Sequence, residues 1–174
     1  MTSAFRALRS WRGTLLPMPT ERAIATAATA WSLDLGLLPL SEAIAFADHL
    51  VEVTTNPSTD LLDAAQARTV SEAVTALRAE AGPVPGHAVA PRILAHIQHQ
   101  LAQGTCSPRR AARLAYRLET LELVPPDVID EMHEMDHAYF PGGEHLYDGT
   151  SEGRDAAVRA FFARYAIQES AIGR

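Results

Sequence analysis

The residues best suited to chemistry lie between Leu118 and Gly153, where His133-Glu134-Met135-Asp136-His137 reads H-E-x-x-H. On a helix, side chains at i and i+4 share a face, so two imidazoles at this spacing can hold one zinc or other divalent ion. Glu134 then stands where a general base would take a proton from a metal-bound water. A third ligand must come from elsewhere. The longer form H-E-x-x-H-x-x-G-x-x-H fails, because Phe140 occupies the glycine position and Gly143 the third histidine. Glu144, His145 and Glu152 remain as downstream donors, none at a diagnostic spacing.

The same stretch carries a second signal. It holds ten of the chain's 21 carboxylates and no arginine. Residues 1–117 carry eleven arginines against nine carboxylates, and 154–174 carry four against two, so the negative charge is concentrated in one block. Such a block repels phosphate and attracts a cationic protein surface. A nucleic-acid binder would show a basic stripe instead, so nucleic acid is not the expected partner. The acidic candidates for partner binding are Glu122, Asp127, Asp130, Glu131, Glu134 and Asp136. The plainer account is a solvated polar face.

Other chemistry is sparse. His96 and His99 lie off the Ile93/Ile97/Leu101 face and read as solvated histidines. Cys106, alone in the chain, excludes a disulfide framework and suits a reducing cytoplasm. It precedes a helix start, which mildly activates a thiolate in some proteins, but no nucleophile context surrounds it. No glycine-rich phosphate loop, Ser-His-Asp context or dinucleotide fingerprint is present. At the N-terminus Arg6, Arg9 and Arg12 interrupt the apolar residues, against a signal peptide, and no run is long enough to span a membrane.

The elements that must position these groups are helical. β-branched alternation is missing, and 3.6-residue periods recur between Gly/Pro breaks. The spacing predicts helices from Thr20 to about Asp34, from Ser41-Glu42 to about Val53, from Thr59 or Asp60 onward, and up to Gly82 after an interruption at Thr69-Val70-Ser71. Residues 82–91 read as a breaker-rich connector, followed by a helix from about Arg92 to Gln103. Ser107-Pro108 starts another, Pro125-Pro126 the helix with the histidines, and Thr150 or Ser151 the last. The expectation is an all-α, single-domain compact array of about seven or eight short helices over 1–174, with 1–19 packed on it or loosely ordered. Expected core residues are Trp31, Phe46, Leu50, Leu62, Leu77, Ile97, Leu101, Leu114, Leu118, Met132, Phe161 and Phe162. On the histidine helix Val128, Met132, Met135 and Tyr139 form the apolar stripe, with both histidines on the other side.

Two resemblances add to this. Phe46-Ala47-Asp48-His49-Leu50 taken with His133-Glu134-Met135-Asp136-His137-Ala138 resembles DinB-type helical bundles, which place one histidine on an early helix and H-x-x-x-H on a later one. That resemblance implies a divalent metal on His49, His133 and His137, thiol-dependent transferase chemistry, and Glu134 as an outer group. The stretches Trp31 to Leu62 and Ile93 to Phe140 resemble small, acidic, all-helical bacterial proteins of uncharacterised or immunity type, found near toxin genes. The second resemblance implies a cytoplasmic, non-catalytic binding protein. With the charge segregation, the reading preferred is a cationic protein partner, and the alternative is a metal-dependent enzyme.

Overall fold

Capping and glycine chemistry define the helices in the computed structural model of the chain, which describes residues 19–120, 123–124, 128–139 and 150–165. Thr20 starts α1 (Glu21–Asp34), its hydroxyl accepting from the Ala23 N–H at 3.1 Å. α2 is Leu40–Val53, and Ser58 caps α3 (Thr59–Ala65). A full capping box opens α4 (Val70–Ala81): Thr69 Oγ1 accepts from Glu72 N, and the Glu72 carboxylate accepts from Thr69 N. α5 is Gly86–Ala102 and α6 Pro108–Thr120, with Ser107 Oγ accepting from Arg110 N. α7 is Ile129–His137, and Thr150 caps α8 (Ser151–Ala163). Among the described residues there are eight helices and no strand, which is the all-α class expected. No helix among them is long and apolar enough to cross a membrane.

α1 and α5 end in the same way. The Leu37 N–H reaches Ser32 O and the Gly36 N–H reaches Leu33 O; likewise Thr105 N reaches Gln100 O and Gly104 N reaches Leu101 O. These are Schellman closures, which need a left-handed residue after the helix. Gly36 (φ 69°) and Gly104 (φ 72°) supply it without the penalty a Cβ would carry.

The core has two parts. α5, α6, α7 and α8 enclose the larger, around Ile93, Ile97, Leu118, Met132, Phe161 and Phe162. α2, α3 and α4 enclose the smaller, where Ala43, Ala47, Ala64 and Ala73 surround Leu33, Leu61 and Leu77. α1 joins them, giving Ala27 and Ala28, with its C-cap Leu35, to one and Ala30 and Leu33 to the other.

Several expectations need correction. The connector shrinks to the residues before Gly86, because α5 begins there rather than at Arg92. Pro91 falls in its second turn and removes the N–H that would have met the His87 carbonyl. That loss falls near an exposed residue and is outweighed by burying Val89 and Ala90. Leu62 is exposed, since the seven-residue α3 turns Leu61 inward instead. Phe46 and Leu50 are only half-buried at the rim of the small core. Trp31 is also half-buried, covered by the Arg78 guanidinium 4.2 Å above its ring. The remaining predicted core residues, from Leu77 to Phe162, are buried. The predicted N-terminal segment lies outside the described residues, apart from Pro19.

Candidate functional site on α6 and α7

α7 is anchored by Met132 and Met135, both fully buried against α6 and its neighbours. Successive residues turn by about 100°, so that anchor dictates which side chains face out. Asp130, Glu134 and His137 are exposed, and His133 is half-buried on the side facing α6. The His133 ring lies 5.6 Å from that of Tyr116 on α6. The His133 and His137 rings are 6.0 Å apart and nearly parallel, at 18°. The two imidazoles of H-E-x-x-H therefore share one helix face, as their spacing predicts, with Glu134 beside them.

The third ligand is where the sequence reading loses support. His49 is exposed on α2, which packs on α1, α3 and α4 around the small core, whereas α7 belongs to the large one. Among the described residues no three His, Cys, Asp or Glu side chains come together as a metal cluster, and Glu152 does not join the histidines. The set His49/His133/His137 is thus not assembled. Glu144 and His145 lie outside the described residues.

The acidic face is also smaller than expected. Asp136 is only 6% exposed, because its helix position falls in the inward arc with Met132 and Met135. Glu131 is paired with Arg164 of α8 at 2.8 Å. Asp130 and Glu134 remain as exposed acids with no described arginine in ion-pair contact. Glu122 and Asp127 lie outside the described residues. Asp130 and Glu131 sit in the first turn of α7, where the helix dipole favours negative charge.

Two features escaped the sequence reading. One is a row of arginines on α6: Arg109, Arg113 and Arg117 at i, i+4 and i+8, all exposed, with Arg110 donating to the Gly36 carbonyl at 3.0 Å. The other is His96. It is half-buried rather than solvated, with Nδ1 2.8 Å from the Ser32 hydroxyl, while His99 is exposed. Burial pushes the His96 pKa down, His99 and Arg92 add to this, and the Glu42 carboxylate opposes it. His96 flanks a recess of about 370 Å³ between the closures of α1 and α5, with Glu42, His99 and Gln100. Ser32 is fully buried, so its hydroxyl is not placed as a nucleophile, which a substrate must reach. The pair instead joins α1 to α5. Cys106 is likewise buried, and burial raises its thiol pKa against the pull of Arg110, the reverse of an activated thiolate.

Comparison with protein-family models, curated proteins and solved structures finds no match to this chain.

Proposed function

We propose that the chain is a non-catalytic binding protein, immunity-like in kind, whose α7 docks the cationic surface of a protein partner. The observation that carries this reading is the pair Asp130 and Glu134 within the chain's acidic block, exposed at i and i+4 on α7 with no described arginine in ion-pair contact. Unpaired charges on one face speed encounter and reject partners of the wrong sign. The test is capture of proteins by immobilised full-length chain, wild type against Asp130→Arg with Glu134→Arg. The expected result is loss of the captured partner in the variant. Unchanged capture removes the reading.

A second reading is favoured by the His133/His137 geometry: a divalent metal, zinc first, held by the two imidazoles with Glu134 as base. It needs a third donor from beyond the described cluster, with Glu144 and His145 the candidates by sequence. Elemental analysis of protein purified without chelator separates the two. Stoichiometric metal that is lost in His133→Ala supports a metalloenzyme; metal-free protein of equal stability counts for the binding protein.

A further inference from the structure

The exposed sides of α6 and α7 form one continuous surface with three zones. On α6, Arg109 and Arg113 stand beside a shallow recess of about 250 Å³, and no described carboxylate pairs with either. In the middle lies an aromatic and imidazole seam, Tyr116 (37% exposed) against His133 and His137. On α7 stand Asp130 and Glu134. Four other described arginines are in ion pairs: Arg22 with Glu80, Arg78 with Asp34, Arg92 with Glu21 and Arg164 with Glu131. Two packed helices thus present opposite charges that have no ion-pair partner among the described residues.

This juxtaposition restricts the partner. A uniformly cationic surface large enough to cover the seam would press on Arg109 and Arg113, and a polyanion would press on Asp130 and Glu134. Like charges brought together at an interface cost heavily. The partner must be bipolar, with a negative zone that meets the α6 arginines and a positive zone that meets the α7 acids. A second copy of the chain meets that requirement without further assumption. In a two-fold arrangement residue i of one copy meets j of the other and j meets i. An axis through the Tyr116–His133 seam sets each α6 arginine row on the other copy's α7 acids and buries the aromatic seam at the centre. Aromatic residues in the middle and charges at the rim are the usual anatomy of such contacts.

We infer that the α6–α7 surface is a homodimer interface in which Arg109 and Arg113 of one copy meet Asp130 and Glu134 of the other. The inference rests on the acidic-face reading above and names its partner as a second copy of this chain.

Sedimentation equilibrium of the full chain tests it, with two half-reversed variants: Arg109→Glu with Arg113→Glu, and Asp130→Arg with Glu134→Arg. All four positions are exposed, and thermal melting by circular dichroism checks that each variant folds. The wild type is expected to dimerise, with a dissociation constant that rises about tenfold or more in each variant alone and also rises in high salt. An equimolar mixture of the two variants should recover the dimer to within about a few-fold, because each then supplies the charge the other lacks. Failure of the mixture to recover, or dimerisation indifferent to both variants, overturns the inference. So does a wild type that stays monomeric, including one that binds a duplex oligonucleotide through Arg109 and Arg113. A monomer whose capture of a cationic protein still depends on Asp130 and Glu134 overturns only the second-copy partner. A dimer that mixing recovers, with capture unchanged, removes only the cationic foreign partner.

Discussion

The two cores of this molecule are built from different materials. Around α2, α3 and α4 the buried positions are mostly alanine, with a few leucines between them. Around α5 to α8 phenylalanine, isoleucine, leucine and methionine outweigh the alanines and valines among them. Alanine faces let helix axes come close, and α1 with α4 is the most extensive helix pair in the fold. The rim of that half is closed by charge: Arg22 pairs with Glu80, and Arg78 pairs with Asp34 while lying over Trp31. The large-residue half holds its helices apart with bulk, and on its outer face Arg109, Arg113, Asp130 and Glu134 stand exposed with no described ion-pair partner. The candidate interface is on that second half. Close helix approach and the proposed interface thus fall on different parts of one chain.

The sharpest way to break this comparison is to remove bulk from one half and add it to the other. Phe162→Ala is expected to cost about 3–5 kcal/mol, since a fully buried ring leaves a cavity its neighbours fill only in part. Urea midpoints would measure it, and a loss below about 1 kcal/mol would mean that bulk is not what holds this half. Ala73→Leu should act by the opposite route. Ala73 is fully buried in the alanine core, and overpacking there is expected to cost about 1–3 kcal/mol. Were the leucine accepted without loss, the claim of close approach would be wrong.

Smaller effects sharpen the contrast locally. Thr69→Ala removes one side of the α4 capping box and is expected to cost about 1 kcal/mol, visible as a lower melting temperature. The gentlest probe is pH. His96 joins the two halves, and its folded pKa lies below the unfolded value of about 6.5. The unfolded chain therefore binds the proton more readily. Stability linked to His96 is complete above about pH 6.5 and is lost as pH falls from there toward the folded pKa. Denaturant curves at about pH 7.5 and 5.5 should show a larger acid loss for wild type than for His96→Asn, which cannot titrate. Equal losses would place the acid sensitivity in other groups.

Much of the architecture is legible from local chemistry. Thr20, Ser107-Pro108, Gly36 and Gly104 act within a few residues of themselves, so the sequence displays where helices begin and end. Gly86 is different. Its Gly/Pro-rich surroundings argue for a connector, and only burial of Val89 and Ala90 against other helices draws them into α5. The site was legible in its spacing but not in its environment. His133 and His137 share a face because helices make them do so, whereas the exclusion of His49 depends on which core each helix joins. The α6 arginines were hidden by averaging charge over 1–117, which balances them against acids on distant helices. Ser32 and His96 are 64 residues apart, and nothing in either segment announces the other.

The corner between α1 and α2 has one further consequence. Its N–H groups are closed locally, but other polar groups are met from far along the chain: Gln100 donates to the Leu37 carbonyl, Arg110 donates to the Gly36 carbonyl, and His96 meets Ser32. These partners lie 63, 74 and 64 residues away. The first bend of the alanine-rich half is thus finished by helices made later. Loop-closure entropy must be met before such distant contacts repay it, so they are expected to form late on the folding route. Gln100→Ala should then hasten unfolding in stopped-flow measurements while leaving the refolding rate nearly unchanged. The bend between α1 and α2 would be the last part of the molecule to lock, although it is made before the helices that complete it.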